Sequence, residues 1–171
     1  MESKGKQPRL IVTTYTGKDK KCIPEILNRL FISDPYAEAF EIKKNVILVY
    51  STLSSIEAYG LLRSAPPSCA AKVFYIDLVV KIDELKTLFD SVTKILLNKK
   101  IDRFYVECIN RGSNVDCREI EIGIGIAMKN FAVVDFSSYN IVFINIINNY
   151  AYVSVMNKGQ EKFRSTPSDK I

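Results

Sequence analysis

Apolar residues along 1–82 recur with two different spacings, every second residue in some segments and every three or four residues in others. The order of these segments constrains the fold more than any other feature. Where apolar residues alternate with polar ones, the period predicts strands; where they recur every three or four residues, it predicts helices. The strands are expected at 10–14, 37–42, 46–51 and 72–82, and the helices at 23–31 and 54–64. The resulting order β-α-β-β-α-β is that of a ferredoxin-like domain.

Local signals support the helix positions in this part. Pro24 suits the first turn of a helix, since it has no backbone N–H to leave unpaired. Ser54 followed by Glu57 predicts a capping box at the start of the second helix. Asp34-Pro35 and Pro66-Pro67 are expected to end the two helices.

Residues 83–158 predict a second α/β domain, and a polar tail follows at 159–171. Asp83 is the expected N-cap of a helix over 85–96, and Asp116 with Glu119 predicts the start of another. Apolar residues lie on two opposite sides of that second helix, so other parts of the protein are expected to pack against both sides. Strands are expected at 103–109, 132–136, 140–147 and 150–156, with a tight turn at Asn148-Asn149. The fold class is therefore α/β (α+β).

Composition excludes several kinds of chemistry. The 171 residues include no histidine, so no Ser-His-Asp triad, Cys-His dyad or His-ligated metal is possible. The four cysteines form no C-x-x-C pair, so we expect no zinc and no cofactor. They are expected to be buried structural thiols, since the cytosol keeps thiols reduced, with two disulfides as the alternative. A polar N-terminus and the lack of a long apolar run predict a cytoplasmic protein without a membrane segment.

The net charge of +5 suits a polyanionic partner, but a solvated surface explains it as well. Most of the excess positive charge lies in residues 1–82. Charge alone therefore predicts no particular partner.

Residues 83–156 resemble a THUMP domain, a family known from thiouridine synthases, tRNA methyltransferases and pseudouridine synthases. The matching segments are FYVECINRGSN at 104–114, REIEIGIGIAM at 118–128, VVDFSSYN at 133–140 and IVFINIINNYAYVSV at 141–155. The family has a polar or basic loop after its first strand, a helix with a glycine, a Val-Asp-Leu segment leading to Pro, and a terminal hairpin. Phe136 and Tyr139 replace the family's Leu and Pro.

The resemblance implies that a ferredoxin-like domain and a THUMP domain together grip the 3′ end and acceptor stem of tRNA. The chain has little room for a catalytic domain, so we expect no enzyme activity. It looks like the stand-alone THUMP proteins that help an RNA cytidine acetyltransferase, or another tRNA-modifying enzyme, to act. The alternative is a ferredoxin-like regulatory domain that binds a small molecule in a closed apolar pocket.

Candidate RNA contacts follow from charge and position. Arg111 is the foremost, because a guanidinium in a Gly/Asn loop after a strand can bind phosphate through two hydrogen bonds. The other candidates are Asn110, Arg118, Lys129, Lys158, Lys99, Lys100 and Arg103. Lys18, Lys20 and Lys21 are a further basic cluster that could follow the acceptor stem.

Two residues are expected to be structural. Gly123 lies within a helix, and its partner Gly125 is not followed by the third glycine of a dinucleotide-binding motif. Close packing of this helix is therefore the expected role of Gly123. Asp135 is expected to bond backbone amides near a turn.

Overall fold

A computed structural model describes residues 5–163, which form two compact units. Of these residues, the first unit contains 5–76 and 159–163, and the second contains Asp77–Lys158. Within the described range, no helix has both the length and the apolar character that a membrane span requires.

The first unit has the predicted β-α-β-β-α-β order. Its elements are β1 Gln7–Thr14, α1 Asp19–Leu30, β2 Glu38–Lys43, β3 Val46–Ser51, α2 Ser55–Ser64 and β4 Ala70–Tyr75. The four strands form one antiparallel sheet in the order β2-β3-β1-β4. The fold class predicted from the sequence is thus confirmed for this unit.

The first of these helices begins earlier than predicted, at Asp19, so Pro24 lies inside α1 and not in its first turn. Other local signals agree with the structure. In α1, Cys22, Ile26 and Leu30 recur every four residues, and all three are fully buried. The capping box of α2 is confirmed: the Glu57 backbone N–H donates to Ser54 Oγ at 3.1 Å, and the Ser54 backbone N–H donates to Glu57 Oε1 at 3.0 Å.

The second unit is a mixed five-stranded sheet covered by two helices. Its elements are β5 Leu78–Lys81, α3 Leu85–Asn98, β6 Arg103–Asn110, α4 Cys117–Ala127, β7 Val133–Val134, β8 Asn140–Ile147 and β9 Tyr150–Asn157. The strand order is β5-β9-β8-β6-β7, in which β6 runs parallel to both β8 and β7. The predicted hairpin turn is confirmed, since Asn148 has a φ of 55°.

The core of this unit lies between the helices and one face of the sheet. Helix α3 contributes Leu88, Val92 and Leu96, and α4 contributes Ile120, Ile124 and Met128. The expectation that α4 is covered on both sides is wrong. Ile122 and Ile126 are 49% and 62% exposed, because no described element packs over that side of the helix.

The single strand predicted over residues 72–82 is also wrong. The chain breaks at Asp77, whose backbone N–H donates to Val153 O at 2.8 Å and whose carboxylate accepts from the Val155 N–H at 2.7 Å. These two bonds bind the chain to β9, so β4 and β5 belong to different sheets. Likewise, Glu84 rather than Asp83 is the N-cap of α3, because the Asp83 carboxylate accepts from Asn149 Nδ2 at 3.1 Å.

The segment 159–163, the start of the predicted polar tail, pairs with β4 and packs in the first unit. The Val73 N–H donates to Glu161 O at 2.8 Å, and the Phe163 N–H donates to Ala71 O at 3.0 Å. Phe163 is 9% exposed and packs edge-on against the Tyr59 ring, with 5.5 Å between centroids. The rest of the predicted polar tail, 164–171, lies outside the described residues.

All four cysteines are paired, so the expectation of reduced structural thiols is wrong for this structure. One disulfide joins Cys22 to Cys69 and the other joins Cys108 to Cys117. Cys108 and Cys117 are only half-buried. The partners of the first pair are 47 residues apart in the sequence. Short-range spacing contains no sign of such a pair, because the fold alone brings its members together.

Candidate nucleic-acid interface

The residues predicted to contact RNA do not converge on one place. Strand β6 runs from Arg103 to Asn110, and its ends are about 23 Å apart at roughly 3.3 Å per residue. Asn110, Arg111 and Arg118 lie at the end where β6 stops and α4 begins; we call this group the loop end. The opposite group, here called the strand-start end, contains Lys99, Lys100, Arg103, Lys129 and Lys158.

Arg111 is held firmly at the loop end. Its backbone N–H donates to Ile146 O at 2.9 Å, and its Nε donates to Asn145 Oδ1, also at 2.9 Å. Asn145 lies on β8 and is fully buried. The guanidinium thus has a fixed position beside the sheet instead of moving freely in solvent.

The charge on Arg111 has no anionic partner in the described part of the chain. No carboxylate oxygen there lies within 4.0 Å of its guanidinium. Burial of the half-buried side chain lowers the pKa of Arg111 from its ordinary value. Because a desolvated cation without a partner is energetically costly, an anion bound here would stabilise the site.

The polar loop that contains Arg111 is shaped by Asn110. Its Oδ1 accepts from the Ser113 N–H at 2.7 Å, while its Nδ2 donates to Ser113 O at 2.9 Å and to Val115 O at 3.1 Å. Gly112 has a φ of 101°, a left-handed conformation that glycine adopts without strain. The Cys108–Cys117 disulfide closes the base of this loop. Asn110 therefore fixes the shape of the loop that presents Arg111.

Arg118 lies in the first turn of α4 and is exposed. Its backbone N–H donates to Asp116 Oδ1 at 3.0 Å, so the Asp116 side chain is the cap of this helix. This hydrogen bond involves only the backbone N–H of Arg118, and the residue as a whole is exposed at the surface. Arg118 stays a candidate contact at the loop end.

Two cations of the strand-start end have acidic partners. Arg103 Nη1 lies 2.8 Å from Asp135 Oδ2, and Lys99 Nζ lies 3.7 Å from Asp77 Oδ1. Asp135 Oδ1 also accepts from the Ser137 hydroxyl at 2.7 Å and from the Ser137 N–H at 2.9 Å. Hydrogen bonds from Ser137, together with Arg103, lower the pKa of Asp135 to about 2. Asp135 thus organises the turn after β7.

The remaining cations at this end, Lys100, Lys129 and Lys158, are exposed. Lys129 and Arg103 line a surface pocket of about 380 Å³ together with Phe131. Nearby aromatic side chains are also exposed: Phe131 by 55%, Phe136 by 76% and Tyr139 by 65%. Exposed rings beside cations suit unpaired nucleic-acid bases, which stack on aromatic faces.

The sequence analysis did not identify these aromatic residues as candidate contacts. Phe136 lies within the strand predicted over 132–136, but the observed strand β7 contains only Val133 and Val134, so Phe136 falls in the turn that follows it. The Phe136 ring lies 5.7 Å from the Tyr105 ring on β6.

Gly123 lies where α4 crosses α3. A Cβ atom at this position would lie 2.2 Å from Phe89 Cζ, far inside van der Waals contact. The absence of a side chain therefore allows the Phe89 ring to pack directly on the backbone of α4.

No protein-family model matches the sequence, and no curated protein matches it significantly. Several solved structures do have a similar fold. PH1313 from Pyrococcus horikoshii Ot3 has a TM-score of 0.73 and 19% identity, over 91% of this chain and 55% of that protein. TrmN from Thermus thermophilus has a TM-score of 0.58 and 18% identity, over 87% of this chain and 45% of that one.

A 4-thiouridine synthetase, solved in complex with RNA and ATP, is also similar. Its TM-score is 0.56 and its identity 15%, over 88% of this chain and 42% of the synthetase. The chain thus spans about half the length of the proteins that it resembles. At identities this low the likeness concerns the fold alone.

Proposed function

We propose that this protein binds tRNA and serves as a non-catalytic adaptor for a tRNA-modifying enzyme, with cytidine N4-acetylation as the reaction that it assists. The fold supports the tRNA part of the proposal, because a synthetase with a similar fold was solved with RNA bound. The observation that carries it is the half-buried Arg111 guanidinium, which is held by Asn145 and lacks a carboxylate partner among residues 5–163.

The geometry of Arg111 suits a phosphate group of the RNA backbone. A guanidinium has five N–H donors in one plane, and only the Nε donor is used by Asn145. The two terminal nitrogens can therefore donate two parallel hydrogen bonds to a phosphate. Because Asn145 fixes the side chain before RNA arrives, little conformational entropy is lost on binding.

The test is a titration of labelled tRNA with the wild-type chain and with Arg111→Ala, at two salt concentrations. Loss of a charged hydrogen-bond donor typically costs about 1.5–3 kcal/mol, so we expect Kd to rise roughly tenfold or more. Arg111→Lys keeps the charge but lacks the planar fork, and should recover only part of the affinity. Lys86→Ala is the matched control, since Lys86 is an exposed cation paired with Asp90 on α3.

A second pair of titrations examines the RNA itself. Wild-type affinity should decrease steeply as salt rises, because bound phosphates release counterions. It should also decrease when the single-stranded 3′ end of the tRNA is removed. Unchanged affinity in Arg111→Ala would contradict the role given to this residue, and failure of the wild-type chain to bind tRNA at physiological salt would contradict the whole proposal.

The adaptor role requires a separate measurement. Formation of N4-acetylcytidine in tRNA by an RNA cytidine acetyltransferase should increase when the chain is added, and the chain alone should form none. Arg111→Ala should reduce this stimulation in parallel with its loss of tRNA affinity. Stimulation that persists at full strength in Arg111→Ala would argue that the chain acts on the enzyme without presenting tRNA.

The small-molecule alternative requires a closed apolar pocket. A groove of about 460 Å³ in the second unit is lined by Leu78, Ser91, Lys94, Ile95 and Asn98. None of these five residues is buried, so the groove is open to solvent. It does not meet the requirement of this alternative.

A further inference from the structure

The Cys22–Cys69 disulfide of the first unit lies beside a small surface pocket. Cys22 belongs to the first turn of α1 and is fully buried, and Cys69, which is 4% exposed, precedes β4 and lines the pocket. The pocket has a volume of about 210 Å³, and its other lining residues are Tyr15, Lys18, Lys21 and Ser68. Of the two sulfur atoms, that of Cys69 is therefore the one that a molecule in the pocket would meet.

A carboxylate is in direct contact with this sulfur. Glu25 Oε1 lies 3.0 Å from Cys69 Sγ, and Ser68 Oγ lies 3.2 and 3.4 Å from the two carboxylate oxygens of Glu25. A disulfide sulfur has no hydrogen to donate, whereas a thiol has one. Reduction of the disulfide would thus turn the contact into a hydrogen bond from Cys69 to Glu25, which stabilises the reduced form.

The lining lysines make the pocket attractive to anions. Lys18 and Lys21 are exposed, and no carboxylate of the described chain lies within 4.0 Å of either ammonium group. Both lie at the N-terminal end of α1, where the helix dipole adds positive potential. Nearby positive charge also favours thiolates over thiols, and the thiolate is the reactive species in disulfide exchange.

We propose that Cys22–Cys69 is a reversible thiol–disulfide exchange site for small anionic thiols, of the class of carboxylate-bearing peptide thiols. The thiolate sulfur of the ligand forms a bond to Cys69 Sγ as the Cys22–Cys69 bond breaks, and the Cys22 sulfur leaves as a thiolate that takes a proton from solvent. The product is a mixed disulfide at Cys69. A second thiol then attacks the ligand sulfur of this mixed disulfide, which releases the oxidised ligand dimer and leaves Cys69 as a thiol hydrogen-bonded to Glu25.

The second disulfide of the chain is an internal control. Cys108 and Cys117 are half-buried and therefore accessible to thiols in general. They lie beside Glu121, whose carboxylate accepts from the Cys108 N–H at 3.1 Å, and they close the loop that carries Arg111. Lys18 and Lys21 line the pocket at Cys69 and not this loop, so their removal should change the selectivity of one disulfide and leave that of the other unchanged.

The experiment treats the oxidised full-length chain with glutathione, an anionic thiol, or with cysteamine, a cationic one, at equal thiolate concentrations. Acid-quenched samples are digested and each disulfide is followed by mass spectrometry. We expect the ratio of the glutathione rate to the cysteamine rate at Cys22–Cys69 to be roughly tenfold higher in the wild-type chain than in a chain without the charges of Lys18 and Lys21. The mixed disulfide should form on Cys69 and not on Cys22.

Variants separate this proposal from general reactivity. Lys18→Ala with Lys21→Ala should lower the ratio at Cys22–Cys69 roughly tenfold and leave the ratio at Cys108–Cys117 unchanged. Lys20→Ala with Lys44→Ala removes the same charge from exposed residues that do not line the pocket, and should leave the ratio unchanged. Glu25→Ala should decrease the reduced fraction of the pair at a fixed ratio of reduced to oxidised glutathione.

An unchanged ratio at Cys22–Cys69 in the Lys18/Lys21 variant, an equal fall of the ratio at Cys108–Cys117, or glutathione attached to Cys22 would each overturn the proposal. Circular dichroism of every variant checks that the fold is kept. Lys18 and Lys21 are also candidate contacts for the acceptor stem, so the thiol experiment is done without RNA, and its outcome is separate from that of the Arg111→Ala titration.

Discussion

At the scale of single residues, Gly123 determines how closely α3 and α4 approach. The Phe89 ring occupies the space where a Cβ atom would be, with three ring atoms within 2.8 Å of that position. Replacement by alanine has to move either the ring or the helix. Gly60 on α2 is a useful contrast, because an added Cβ there meets nothing within 4 Å.

We therefore expect Gly123→Ala to destabilise the protein by about 1–3 kcal/mol through overpacking. Gly60→Ala should stabilise it by about 0.5–1 kcal/mol, since alanine is the better helix former. Urea denaturation of both variants measures the difference. Phe89→Leu combined with Gly123→Ala should recover part of the loss, and equal effects at the two glycines would contradict this account of α4.

Asp135 should make stability depend on pH in a narrow acidic range. Hydrogen bonds from Ser137, with the Arg103 contact, hold the pKa of its carboxyl at about 2 in the folded chain, against an ordinary value of 3.8. Because the folded-state pKa is the lower of the two, the contribution to stability is present above about pH 4. It is lost as the pH falls towards 2.

An NMR titration of the Asp135 carboxyl carbon measures this shift directly. Ser137→Ala should raise the pKa towards 3.8, because it removes the hydroxyl donor that has the largest effect. A wild-type Asp135 that titrates near 3.8 would show that the turn is not held as described.

At the scale of elements, the segment 159–163 completes the first unit. Tyr59 Oη donates to Gln160 O at 2.6 Å, and the Arg63 guanidinium lies 4.2 Å from the centre of the Phe163 ring. The backbone bonds to β4 and these side-chain contacts join the segment to both the sheet and α2. It therefore behaves as an element of the fold.

Phe163→Ala should lower the free energy of unfolding by about 3 kcal/mol, in the range of large buried aromatic truncations. Phe136→Ala is the matched control, since its ring is 76% exposed and its loss should change stability by less than about 0.5 kcal/mol. Thermal and urea unfolding compare the two. Similar stability of both variants would contradict the packing described for Phe163.

The elements also show which features the sequence could predict. The Ser54–Glu57 capping box and the Asn148 turn depend on residues a few positions apart, and both were predicted correctly. The break at Asp77 was not, because it depends on bonds to Val153 and Val155 on β9. Alternation continues through Asp77, so nothing nearby in the sequence distinguishes one long strand from two.

At the scale of the whole molecule, the order of elements was predictable and the positions of the charges were not. Arg103 is the first residue of β6 and Arg111 directly follows its last residue, so the extended strand keeps these two cations at opposite ends. The cations at the strand-start end come from distant parts of the chain, because Lys99, Lys129 and Lys158 follow different elements. Which charges become neighbours depends on sheet order, and this required the structure.

The return of residues 159–163 to the first sheet has a consequence for biosynthesis. A ribosome releases the strands and helices of the first unit early, but the residues that pair with β4 emerge only after all of the second unit. Until then the surface that Phe163 covers, including the Tyr59 ring, stays open to solvent. The nascent chain can thus complete the later-made unit before the earlier one.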